Sequence, residues 1–271
     1  MTDDNSNETD PADILAEPAE AVETPEAGEA EATEPAPVMS EEMLALVTPY
    51  LDQLRAHADQ PRADQKAAYH KQKREVLGLS NPEINDLTKA WRQALSLEER
   101  VELADALWTS DIFEARIAAG KLLTQARIKD DGAVWDLLQS WLPEFDSWAI
   151  ADHAASAASK RIQADPSRLD EVEAWTQSDH MWTRRAALVA TLPWAKMSNP
   201  KPEDTAARDR ILGWAAGYVP DRNWIIQKSI AWWLRDHSKH DEDAVRAFLE
   251  KHGASMKPFA RKEAAKYLKD A

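Results

Sequence analysis

Cysteine is absent from the 271 residues. That excludes a disulfide framework, a thiolate metal site and a cysteine nucleophile. Glycine is scarce, at 7 residues, one of them in the first forty. No glycine-rich phosphate loop, dinucleotide fingerprint or nucleophile elbow can be assembled from so few. β-branched residues are sparse and strict apolar/polar alternation is missing, so little in the chain asks for a sheet. No apolar run approaches a membrane span. The amino-terminal stretch is acidic, unlike a secretory or transit peptide. These absences point to a soluble cytoplasmic protein.

Lys and Arg are missing from residues 1–40, which hold twelve acids and no aromatic residue. Such a Glu-, Ala-, Pro- and Thr-rich stretch buries too little apolar surface to offset its ordering entropy. The expectation is a disordered acidic tail over residues 1–39 and one folded domain over 40–271. The formal charge of −15 is carried mostly by that tail; without its twelve acids the body stands at −3 and holds all 33 basic residues. A nucleic-acid partner is therefore not excluded by charge, and a local basic groove remains possible.

What is abundant is Ala, Leu, Glu, Lys, Arg and Gln, a helix-forming set. Start signals follow one another. Ser40 precedes Glu41 and Glu42, Asn81-Pro82-Glu83 opens a helix with Pro82 at its first position, and Ser96 with Glu99 forms a capping box. Gly78, Gly132 and Gly253 stand where helices are expected to stop. About eleven or twelve helices are expected in all.

Four aspartates recur before helical stretches: Asp111, Asp146, Asp179 and Asp221, spaced by 35, 33 and 42 residues. Each is read as a helix cap, and each follows another helical stretch ending in an apolar or aromatic residue. A period of that size with two helices per unit signals an all-α, HEAT-like helical-repeat solenoid with a concave groove. The competing reading is an irregular helical domain with good caps.

Twelve tryptophans are many for the folded part. Trp91, Trp108, Trp135, Trp141, Trp175, Trp194 and Trp214 read as filler between helix layers. Trp148, Trp182, Trp224, Trp232 and Trp233 lie on the four Asp-started helices, which would line the concave side. Trp148 and Asp152 share a helix face. Arg185 has the same offset from Asp179 as Asp152 has from Asp146, so adjacent inner helices bring an acid and a base together. Spacing alone favours a plain inter-repeat ion pair over a functional groove. Of Trp232 and Trp233, about 100° apart on a helix, one can face the groove while the other packs inward. His237 and His240 lack the acidic partners of a metal site and sit near a helix end, where histidine is commonly solvated.

Four segments together resemble the AlkD family of bacterial DNA alkylation repair glycosylases, which are HEAT-like-repeat proteins. They are Trp148-Ala-Ile-Ala-Asp152, the stretch Trp175 to Arg185 with its following alanines, Ile226 to Arg235, and Lys257-Pro-Phe-Ala-Arg261-Lys-Glu-Ala. Asn81-Pro82-Glu83 and Leu107 to Leu123 fit more loosely. The resemblance spans most of residues 41–271. It implies that Asp152 matches the family's catalytic carboxylate, Trp148 and Trp232 its flanking aromatics, and Arg185 its groove arginine. Arg184, Lys228 and Arg235 would contact the DNA backbone, with an ordinary solvated helix face as the competing reading. One departure is local. The family often has His-Glu-x-Arg where this chain has Phe113-Glu114-Ala115-Arg116, which bears on DNA contacts or packing.

The implied activity is release of cationic N3- or N7-alkylated purines from double-stranded DNA through an oxocarbenium-like sugar, a route that needs no cofactor and no metal. The resemblance also implies that the lesion is not flipped into a tight pocket. Alkylation already activates the leaving base, so one carboxylate suffices where ordinary glycoside hydrolysis uses two. A monomer is expected. The alternatives are a non-catalytic HEAT-like DNA-binding protein and a protein–protein scaffold, the latter with no need for Asp152. The acidic tail is read as a solubilising segment, or as a polyanion competing with DNA for the groove.

Overall fold

The computed structural model describes residues 39–269. All but the last residue of the expected acidic tail lie outside them. Fourteen α-helices and three short 3-10 turns, with no strand, make up the described residues. The expected count was lower because the short helices were not legible as separate elements.

In chain order the helices are α1 (Glu41–Arg55), α2 (Gln60–His70), α3 (Asn81–Ala94), α4 (Leu97–Thr109), α5 (Phe113–Leu123), α6 (Gly132–Ser140) and α7 (Trp148–Ala164). They continue with α8 (Leu169–Trp175), α9 (Met181–Ala190), α10 (Leu192–Ala195), α11 (Pro202–Tyr218), α12 (Trp224–His237), α13 (Glu242–His252) and α14 (Pro258–Ala264). None is long and apolar enough to cross a membrane.

The early start signals act as read. Ser40 accepts from the Met43 amide, and Ser80–Glu83 and Ser96–Glu99 form reciprocal capping boxes. Pro82 takes the second helical position rather than the first. The recurring aspartates, however, are not the caps. The helices begin two or three residues later, capped by Ser147 and Asn223 before α7 and α12 and by no side chain before α5 and α9. Three of the aspartates serve as ion-pair partners in the preceding loops instead. Asp111 and Asp146 both meet Arg74, and Asp221 meets Arg184, while Asp179 is exposed. Gly132 likewise opens α6 instead of ending a helix.

Alternate helices form a continuous row: α3 packs on α5, α5 on α7, α7 on α9, α9 on α12 and α12 on α14. A helix with a neighbour on both sides must be apolar or small nearly all round. α7 answers this with buried Ala149, Ala151, Ala154, Ala155, Ala157 and Ala158. Gly120 of α5 belongs to the same packing, since a Cβ there would stand 3.0 Å from backbone atoms of His153 and Ala154. Axes come this close only when one partner has no side chain.

Outside this row lie Trp108, Trp135, Trp141, Trp175, Trp194 and Trp214, which with Trp91 of α3 are all buried. Trp108 stacks on Trp141 at 4.3 Å and Trp135 on Trp175 at 5.6 Å. A repeated unit emerges that the sequence did not suggest. Trp108, Trp135 and Trp214 each donate the indole N–H to a glutamate of a neighbouring repeat, Glu144, Glu171 and Glu173, at 2.9–3.0 Å. Each ring also lies under an arginine guanidinium, of Arg116, Arg168 and Arg210 respectively. A buried indole N–H without an acceptor is costly, and the carboxylate removes that cost.

Candidate active site

The site grows from the equal offset of Asp152 on α7 and Arg185 on α9. Because these helices are neighbours in the row, the two side chains meet. Arg185 Nε donates to Asp152 Oδ1 at 2.8 Å and Nη2 to Oδ2 at 2.7 Å. This is the parallel two-bond geometry that matches a planar guanidinium to a carboxylate. The Arg185 guanidinium also lies 5.8 Å from the centroid of the Trp232 ring on α12. Three consecutive helices of one row thus supply Asp152, Arg185 and Trp232. Each of the three is only 1% exposed.

Both members of the Trp pair on α12 are buried, so neither fits the expectation of a groove-facing ring in the protein alone. Trp233 points its N–H to the Thr191 carbonyl at 3.3 Å, and Trp232 points its N–H to Asp236 Oδ2 at 3.1 Å. Trp148 at the start of α7 is half-buried and belongs to a second aromatic group. His70 lies 4.8 Å from it and 4.9 Å from Phe113, and Tyr69 meets its edge at 6.3 Å. Tyr69 is 57% exposed, whereas Phe113 is fully enclosed. The departure at position 113 is therefore a packing position against His70. Burial, aided by the nearby Lys66 charge, pushes the His70 imidazole down to about 4, and its Nδ1 has no hydrogen-bond partner. The ring is neutral at neutral pH.

Glu114, the next residue, is wholly buried. Its two oxygens accept the amides of Leu77 and Gly78 at 2.8 Å each. With the bond from the Phe113 amide to the Glu75 carbonyl, it fastens the extended segment after α2 onto the start of α5. Gly78 has φ of +86°, and a Cβ there would fall 2.3 Å from the Asp59 carbonyl oxygen, so this segment requires glycine.

The three cations expected at a DNA backbone all have partners within the protein. Arg184 donates to the Ser178 and Asp179 carbonyls and to Asp221. Lys228 and Arg235 share Glu263 of α14, at 2.7 Å each. His237 departs from the solvated position expected of it. It is buried, 5.0 Å from the Trp233 ring, and burial lowers its affinity for a proton. His240 meets the Ser198 hydroxyl. No group of three metal-ligating side chains occurs among the described residues.

Sequence reasoning missed His70, Tyr69 and Asp236. Asp236 had a signal, since it follows Trp232 by four residues. His70 had none, because it comes from outside the recurring unit.

The sequence profile of a family described as DNA alkylation repair enzyme matches residues 50–268. No curated protein matches the sequence significantly. Among solved structures, a predicted DNA alkylation repair enzyme from Enterococcus faecalis is similar at 20% identity and TM-score 0.67, over 79% of this chain and 98% of its own. AlkD2 from Streptococcus mutans is similar at 20% identity and TM-score 0.55, over 77% and 100%. So is smu.31 from Streptococcus mutans UA159, at 20% identity and TM-score 0.55, over 69% and 92%. At these identities the structures speak for the fold.

Proposed function

The chain belongs to the DNA alkylation repair enzyme family, and from that premise we propose that it is a monofunctional DNA glycosylase. Its substrate is double-stranded DNA carrying N3- or N7-alkylated purines, its repair domain is residues 40–271, and it acts as a monomer. The bond between the purine nitrogen and C1′ breaks, the cationic base leaves neutral, and water adds to C1′ with loss of a proton. Positive charge develops on the sugar, and a fixed carboxylate stabilises it. Asp152 is that carboxylate and orients the water. Trp148 and Trp232 offer π faces that favour positive charge and exclude solvent. Arg185 has the fork that suits a phosphate as well as a carboxylate. A phosphate beside the lesion that takes Arg185 uncovers Asp152 in the same movement.

The observation that carries this reading is the bidentate Asp152–Arg185 pair beneath Trp232, on three successive helices of one row. Arg184, Lys228 and Arg235 are assigned to phosphates, each exchanging a protein carboxylate for a DNA one-charge partner. The test is base release. Purified protein frees 7-methylguanine or 3-methyladenine from methylated DNA, and Asp152→Asn does not. Full activity in that variant removes the assigned role.

A second reading has its own observation. Asp152, Arg185 and Trp232 are each 1% exposed, as suits a structural ion pair in a DNA-binding array without catalysis. It is favoured by salt-dependent DNA binding with no release of base.

A further inference from the structure

Trp232 is fixed from both sides. Its ring faces the Arg185 guanidinium, and its indole N–H donates to Asp236 Oδ2 at 3.1 Å. Trp232 and Asp236 are both on α12, one turn apart, and Asp236 is itself buried. The carboxylate is not held by Trp232 alone. Arg235 approaches Oδ1 at 3.4 Å, Lys196 approaches Oδ2 at 3.7 Å and Lys239 approaches Oδ1 at 4.0 Å. Arg235 has its closer partner in Glu263, at 2.7 Å. Asp236 therefore keeps its negative charge matched while one oxygen remains directed at the indole.

A tryptophan ring buried between helices can sit in more than one rotamer, and its single polar atom selects among them. Here the acceptor is a charged oxygen, so the selection is strong. We propose that Asp236 is a positioning residue for the repair reaction, fixing the Trp232 ring against the Arg185–Asp152 pair through its indole N–H. The inference rests on the glycosylase reading for its consequence in activity, though the hydrogen bond itself does not. Asp236 acts through Trp232. It also continues the line of contacts outward, from Asp152 through Arg185, Trp232, Asp236 and Arg235 to Glu263 and Lys228.

The experiment pairs a spectroscopic signature with single-turnover kinetics. The indole N–H resonance of Trp232 is assigned by its disappearance in Trp232→Phe. In Asp236→Ala it shifts and exchanges faster with solvent, and the base-release rate falls about tenfold or more while affinity for undamaged DNA changes little. Asp236→Asn retains an oxygen acceptor and loses the charge, so it restores both resonance and release. An Asp236→Ala protein that keeps the resonance position and the wild-type release rate overturns the proposal. Should that variant fail to fold, Asp236→Asn decides: retained release with a retained resonance supports positioning, and lost release with a retained resonance overturns it. Wild-type protein that frees no base overturns the glycosylase reading instead, and the resonance of Asp236→Ala then decides alone whether Asp236 fixes the ring.

Discussion

Arg185 meets Asp152 with two parallel hydrogen bonds inside the packed row of helices. Each residue alone would be an uncompensated charge in that setting. Removing one partner of a buried pair costs about 3–5 kcal/mol, while replacing both with apolar residues of similar volume is often neutral. Asp152→Leu with Arg185→Met should therefore be more stable to urea than either single variant. The double variant should also free no alkylated base. Stability and chemistry are then separated by one pair of measurements.

His70 makes stability depend on pH below neutrality. Its folded value is pushed down to about 4, against 6.5 for an ordinary histidine. Between those values the unfolded chain takes up a proton that the folded chain refuses, so stability falls as pH falls through that window. His70→Phe places an apolar ring among Phe113, Trp148 and Tyr69 and removes this contribution. Urea titrations at pH 7 and pH 5 should show a smaller drop in the variant than in the wild type. An equal drop in both would assign the effect elsewhere.

Glu114 is the clamp on the segment after α2. Glu114→Gln keeps the size but offers one acceptor oxygen for the amides of Leu77 and Gly78. A loss of about 2–3 kcal/mol follows from the lost charge-assisted bond and the unsatisfied buried donor. Amide exchange at Leu77 and Gly78 should accelerate more than exchange in α9, which reports a local release.

Gly120→Ala tests the close approach of α5 and α7. Alanine is the better helix former, yet its Cβ would meet the backbone of His153 and Ala154 at 3.0 Å. Overpacking of this sort costs about 1–3 kcal/mol, more than the propensity gain. Thermal unfolding should show a lowered midpoint for Gly120→Ala. Gly132→Ala, where nothing lies within 4 Å of the added carbon, should be neutral or slightly stabilised.

Much of the row was legible because one helix recurs with one offset. Asp152 and Arg185 sit at equal distances from their preceding aspartates, and equal positions on neighbouring helices must face each other. The caps were misjudged by one or two residues, since an aspartate can serve a loop ion pair as readily as a helix start. Asp111 and Asp146 turn to Arg74, a residue from a segment with no repeat signature. The burial of Trp232 and Trp233 together could not be read from their 100° separation, because α12 has neighbours on both sides. The tryptophan–glutamate bonds were hidden for another reason. Their partners lie 36 or 41 residues apart, and no local pattern ties an indole to a carboxylate at that range.

Those indole bonds have a consequence for how such an array can change length. Trp108 finds its acceptor in the stretch before α7, and Trp135 and Trp214 both find theirs in α8. The units joined by these three bonds are not chemically closed by themselves; each lends an oxygen or borrows one across the boundary. A cut between units strands a donor on one side and an acceptor on the other. An inserted unit must therefore bring both halves of the exchange, so the array resists shuffling in a way that stacking of apolar faces alone would permit.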